Sequence, residues 1–344
     1  MTENNAAVMA AEPYVLVPPE VVAPMPASHL EGTVPLPADM QVKAEVQVDR
    51  CIDTLINEDL SGEEFKSVLE EIASIGRDEI AETIELADRI AAKNASVVDD
   101  AGYQALEKIR AMFDELNPAS QGDLRAPGKL LGIAIPFGNK LSKYVRRCQS
   151  AASQMAAIQS DFRSAETSTT AQIEEMGGAR SQLWAALERL EAAICFSGLL
   201  EEKLTARHAA LQTDDAGRAG VLERDVLSST RQAQNAIQTA QSLAFSVYNV
   251  LGELRKARTE AMNGYERVTA LAGGALSLPA IANGFAENQA GGLQELQALF
   301  DSCFEAMDLA ENYHANSLAT AQQNARMLTE EVVKARNRVG NEAA

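Results

Sequence analysis

Proline is missing from residues 38 to 117 and again from 137 to 278, so two long stretches carry no imposed break in a helix. Aromatic residues make up only 5% of the chain and tryptophan occurs once, while runs of β-branched residues are few. A sequence so poor in strand formers and rich in alanine favours helix over sheet. No run approaches eighteen apolar residues, which excludes a transmembrane helix. No base precedes Lys43 and no unbroken apolar core stands near Met1, a pattern unlike a secretory signal peptide. Cysteine is scarce too. Cys51, Cys148, Cys195 and Cys303 lie far apart with no C-x-x-C pair, which suits a reducing compartment, and the expected location is cytoplasmic. Positive charge is in short supply: 30 Lys and Arg face 49 Asp and Glu, a net charge of −19. Such a balance argues against nucleic-acid binding, which needs cations to displace counterions from phosphate, and against passive attachment to anionic lipid.

What is present gathers around residues 117 to 144, NPASQGDLRAPGKLLGIAIPFGNKLSKY. Pro118, Pro127 and Pro136 with Gly122, Gly128, Gly132 and Gly138 forbid an undisturbed helix. The same stretch carries Leu130, Leu131, Ile133, Ile135 and Phe137, more apolar surface than a solvated linker leaves in water. It reads as an irregular but packed junction between two helical halves.

Three pieces of this junction carry a family resemblance: Gln121-Gly122-Asp123-Leu124, then Lys129-Leu130-Leu131-Gly132-Ile133, then Pro136-Phe137-Gly138-Asn139-Lys140. They resemble the signature of the toxic-anion-resistance family, the TelA-like proteins linked to tellurite resistance. The helical sequence that follows, with Leu183, Trp184 and a leucine-rich run, is similar too, so the resemblance covers roughly residues 50 to 340. It implies a bacterial cytoplasmic protein and a part in anion-stress resistance. It supplies no agreed catalytic residues and no cofactor.

The organisation follows from the same patterns. Residues 1 to 40 form a proline-rich segment, holding seven of the eleven prolines, that cannot build a core and is expected to be disordered or extended. Residues 41 to 117 read as an acidic helical region, in which Ser61 and Glu64 match a capping box. Between 53 and 115 there are 17 acids and 6 bases, a net of −11. Residues 118 to 140 are the junction, and 141 to 344 are expected to form a bundle of long, coiled-coil-like helices. One seam, alternating three and four residues, runs through Leu141, Tyr144, Cys148, Ala151, Met155, Ile158, Phe162 and Ala165. Gly177-Gly178 is expected to interrupt it, and Gln212 to Gly220 reads as a turn. Further seams run from Ile237 to Leu254 and from Leu293 to Ala321. The fold class is therefore all-α, elongated, with a smaller N-terminal helical region.

The usual chemical constellations do not assemble. Gly132 to Lys140 fails as a phosphate loop, because five residues separate the glycines, Asn139 precedes Lys140 and Leu141 replaces the magnesium-binding hydroxyl. Glu311 and His314 form one E-x-x-H unit where a carboxylate di-iron site needs two, so His314 reads as a hydrogen-bonded core histidine. The three histidines are scattered and no nucleophile–base–acid set emerges. No catalytic residue, metal ligand or cofactor is expected.

One electrostatic feature stands out. No acid occurs from 124 to 160, where Arg125, Lys129, Lys140, Lys143, Arg146 and Arg147 supply six positive charges. Three readings stay open: the patch neutralises the acidic N-terminal half, docks the acidic surface of a protein partner, or binds a small oxyanion near a helix N-terminus. The reading favoured by the sequence is a non-enzymatic helical interaction protein, with self-association left open. Its alternative is a scaffold-type stress protein held peripherally at membranes through the uncharged segment 268 to 286.

Overall fold

Long alternations of three and four build long helices, and the computed structural model is made almost wholly of them. It describes residues 34–96, 101–124, 127–130, 133–277, 280–282 and 292–342, with backbone alone for 95–96, 127–130, 133–139 and 341–342. The tail at 1–33 lies outside the described residues. In chain order come α1 (Ala38–Asn57), α2 (Glu63–Ala73), α3 (Arg77–Ser96), α4 (Ala101–Leu116) and a 3-10 turn, Pro118–Gln121. Two strands, β1 (Pro127–Leu130) and β2 (Ile133–Asn139), then pair antiparallel, with a bulge between Pro127 and Gly128. Next is α5 (Lys140–Asp214), followed by α6 (Ala216–Val221), a π-helical turn (Leu222–Leu227) and α7 (Ser228–Ala275). The chain closes with α8 (Gly292–Tyr313), a second π turn (His314–Leu318) and α9 (Ala319–Glu342).

The all-α class is as expected, and the seams are the buried faces. Tyr144, Cys148, Ala151, Met155, Ile158 and Phe162 are buried along α5, as are Ile237, Ala240, Ala244, Val247, Leu251 and Leu254 along α7. Four local expectations are corrected. The junction is not irregular throughout, since a β-hairpin occupies it. Gly177-Gly178 does not interrupt α5, which continues through both for 75 residues. Each glycine has open space beside it, so the pair costs helix propensity without breaking any packing. The turn expected over 212 to 220 shrinks to Asp215, whose carboxylate accepts from the Arg218 amide and caps α6 at once. The Ser61–Glu64 capping box does not form either. Asp59 takes both the amide and the hydroxyl of Ser61, and Gly62 becomes the N-cap of α2 without a side-chain cap.

The described chain divides into two compact units. One comprises α4, the hairpin, α5 as far as Gln172, α7 from Lys256, α8 and the second π turn. Inside it Phe113 packs on Phe300 at 4.7 Å between centroids, and Phe162 meets Tyr265 edge-on at 6.3 Å. Gly102 lies so near the Tyr265 ring that a Cβ would stand 2.6 Å from it. The other unit comprises α1 to α3, α5 from Ile173, α6, α7 as far as Arg255, and α9. Its core gathers Cys51, Ile52 and Leu55 of α1, Phe65 and Ile72 of α2, Leu200 and Leu204 of α5, and Leu222 and Val226. Arg218 fastens this core by donating to the carbonyls of Leu55 and Glu58, at 2.6 and 2.7 Å, where α1 runs out of internal partners.

Candidate functional site

The signature begins where α4 ends. Asn117 accepts from the Ala119 amide at 3.0 Å and starts the 3-10 turn. Gln121 reaches back, its side-chain amide donating to the Glu115 carbonyl at 2.9 Å, while its Oε1 accepts from Arg147 of α5. Gly122 has φ +64° with no atom near its missing Cβ, so backbone conformation and not space selects glycine. Leu124 is buried, and the Tyr144 hydroxyl donates to the Leu116 carbonyl at 2.9 Å. Burial raises the pKa of that phenol and keeps it a neutral donor. Gln121, Tyr144 and Arg147 thus stitch the end of α4 to the start of α5. The signature positions from Lys129 to Asn139, and Arg125, lie outside the described side chains.

The cationic patch divides into two kinds of residue. Arg147 is engaged: it binds Gln121, stands 3.8 Å from Glu115 and lies 5.9 Å from the Tyr144 ring centre. Lys140, Lys143 and Arg146 are exposed, and none of them forms an ion pair among the described residues. No acid occupies the first turn of α5. These cations therefore oppose the helix dipole without local relief, at a cost of about 0.3–1 kcal/mol each near the terminus. Beside Arg147, a groove of about 620 Å³ runs between α4 and α5. Ala111, Ala151 and Ala157 line it, but so do Glu115 and Asp161. Lys108 and Arg147 line it as well and already pair with Asp161 and Glu115, at 3.6 and 3.8 Å, so a small oxyanion there would compete with two carboxylates of the chain itself.

The other candidates resolve into structural roles. Glu311 pairs with Arg110, which also binds Asp308. His314 Nδ1 is 2.8 Å from the Tyr265 hydroxyl, and its ring stacks on Tyr103 at 4.1 Å. No group of three His, Cys, Asp or Glu side chains is placed to hold a metal among the described residues. Cys51, Cys148 and Cys303 are buried and Cys195 is half-buried; all four are free thiols. Desolvation raises each thiol, Cys303 to about 12, which suppresses the nucleophilic thiolate. In the uncharged 268 to 286 segment, Val268, Ala272, Ala275, Leu276 and Ile281 are buried. Among the described residues no helix is long and apolar enough to cross a membrane.

One residue escaped the sequence reading. Arg258 is 1% exposed and donates to Gln172 at 2.6 Å. The signal was available: the seam of α7 continues past Leu254 by four to Arg258, then by three to Ala261 and four to Tyr265. A charged residue on a seam marks a polar layer in a helical core.

Fold and site together define a protein of long packed helices whose distinguishing feature is a helix start carrying exposed cations. The chain belongs to the toxic anion resistance protein (TelA) family, whose model matches residues 63–326 and so spans the signature. Neither a curated protein nor a solved structure matches it.

Proposed function

We propose that this chain is a non-enzymatic interaction protein of the bacterial cytoplasm. In this reading it contributes to resistance against tellurite and related oxyanions by docking an acidic protein surface on Lys140, Lys143 and Arg146. The observation that carries the reading is the state of those three residues, exposed and without an ion pair among the described residues in a chain of net charge −19. Charge held in that way against a helix dipole suits an external partner and its rate of encounter. Family membership supports the resistance role. The buried thiols support a mechanism other than thiol reduction of the oxyanion, because the reactive species is the thiolate.

The test is complementation of a tellurite-sensitive deletion strain. Lys140→Glu, Lys143→Glu and Arg146→Glu together should abolish resistance while the purified protein, in dilute solution, melts no lower than wild type. Full resistance from that variant at equal abundance overturns the docking reading. Replacing all four cysteines by alanine should leave resistance intact when the variant folds; loss of resistance in a folded quadruple variant would restore thiol chemistry.

A further inference from the structure

We infer that the acidic surface docked by this helix start is α3 of a second copy of the same chain, a step that rests on the docking reading above. The acids of the first turns of α3 mirror the cations of α5. Residues 78 to 85 read DEIAETIE, and residues 140 to 147 read KLSKYVRR. Laid antiparallel, Lys140 falls at the level of Glu85, Lys143 at Glu82, Arg146 at Glu79 and Arg147 at Asp78. Lys140, Lys143 and Arg147, which share one face of α5, thus meet the exposed Glu85, Glu82 and Asp78 at the same height along the helix axis, while Arg146 and Glu79 flank those rows. Laid parallel, the outward rows 140, 143, 147 and 78, 82, 85 differ by one residue at the middle position alone.

Burial keeps both rows available. Ile80, Ile84 and Ala87 turn the opposite face of α3 into its own core, so Asp78, Glu82 and Glu85 are exposed. Tyr144, Cys148 and Ala151 do the same for α5 and leave Lys140, Lys143 and Arg146 in solvent. Two in-chain ion pairs must be exchanged, Glu82 with Arg189 at 3.2 Å and Arg147 with Glu115 at 3.8 Å, while the second guanidinium nitrogen of Arg147 stays on Gln121. All four of these side chains are about half exposed or more, where a pair contributes about 0–1 kcal/mol, so exchange costs little. Because each copy offers one patch of each sign, two copies pair reciprocally about a two-fold axis where both contacts fit at once and add head to tail where they do not.

The net charge of −19 sets a distinctive salt dependence. At about 10 mM salt the Debye length of about 30 Å lets whole copies repel one another. At about 150 mM it is about 8 Å, so distant charges are screened while contacting rows still attract. At about 1 M, with a length of about 3 Å, the rows are screened as well. Association should therefore peak at intermediate salt, whereas apolar association would grow with salt.

Sedimentation velocity of the full chain over a concentration series at the three salts tests this. The weight-average sedimentation coefficient should rise with concentration most steeply near 150 mM. Lys140→Glu/Lys143→Glu/Arg146→Glu and, separately, Asp78→Lys/Glu82→Lys/Glu85→Lys should each weaken self-association by about tenfold or more, the change expected when 1.4 kcal/mol is lost. Mixing the two triple variants should restore association, because the reversed rows are complementary again. A wild-type chain that stays monomeric at all three salts overturns the proposal without help from any variant. Triple variants that associate like wild type overturn it too. Monomeric wild type together with lost resistance in the cation variant removes the second copy as partner and leaves the docking reading standing.

Discussion

The starts of α3 and α5 are the same structural object with opposite charge. The first turn of α3 carries Asp78 and Glu79, while that of α5 carries no acid and opens on Lys140 and Lys143. Exposed helix amides and the aligned peptide dipoles make any N-terminus electropositive, so acids there stabilise and cations there oppose. Each end is fixed by something other than charge. Gly76 at φ +70° turns the chain into α3, and the Tyr144 hydroxyl bound to Leu116 anchors α5. The comparison separates two jobs: α3 begins in the way that favours its own fold, whereas α5 begins in a way that its own fold does not reward.

Breaking the anchor of α3 should have the largest effect. A Cβ on residue 76 would stand 2.7 Å from Cγ1 of buried Ile237, and the backbone there is left-handed. Gly76→Ala should therefore cost roughly 2–5 kcal/mol in strain and overpacking and lower Tm by about 5 °C or more. An unchanged melting curve would mean that this joint relaxes freely and that α3 needs no special entry.

Alkaline pH separates the two starts next. Burial raises both Tyr144 and Cys148 at the α5 anchor, Cys148 from an ordinary 9.0. Above that value the unfolded chain releases protons that the folded chain keeps. Each group contributes stability that is whole below its ordinary value, 9.0 for Cys148 and 10.0 for Tyr144, and is lost above it by about 1.4 kcal/mol per pH unit. Urea unfolding from pH 8 to 10.5 should show that fall, and Tyr144→Phe with Cys148→Ala should flatten it. Equal slopes in both proteins would place the alkaline loss elsewhere. Gln121→Ala tests the remaining stitch at neutral pH: one lost hydrogen bond to each neighbour should lower stability by about 1 kcal/mol, read from the urea midpoint.

How far the sequence reveals these two starts depends on periodicity. The seam from Tyr144 to Phe162 was legible because burial repeats every three or four residues, and each member is indeed buried. The continuity of α5 through Gly177-Gly178 was not, because a glycine pair weakens a helix without saying whether long flanks outweigh it. The hairpin hid behind Pro136 and four glycines, although Ile133, Ile135 and Phe137 alternate at strand spacing. The Ser61 cap failed because Asp59, two residues earlier, takes the Ser61 amide that Glu64 would accept and turns the hydroxyl toward itself, a contest that a four-residue motif does not weigh. The cationic patch was legible as charge, but its division was not. That Arg147 is held by Gln121 and Glu115 while Lys140, Lys143 and Arg146 are not follows from where α4 ends.

The smallest expected effect bears most directly on the comparison. If the α5 cations serve contacts outside the chain, their reversal should not harm the fold, and removal of the dipole conflict should help it. Lys140→Glu with Lys143→Glu should raise stability by about 0.3–1 kcal/mol per residue in dilute protein, and Asp78→Lys with Glu79→Lys should lower it by a similar amount. Dilution matters because association would add its own stabilisation to the wild type. Both shifts should shrink in about 1 M salt, since the exposed ends of the helices are screened. A loss of stability in the Lys140/Lys143 variant, with a gap from wild type that salt narrows, would mean that acids of the same chain already neutralise the patch. In that event the start of α5 would be an internal electrostatic joint, and a docking role would need a different surface.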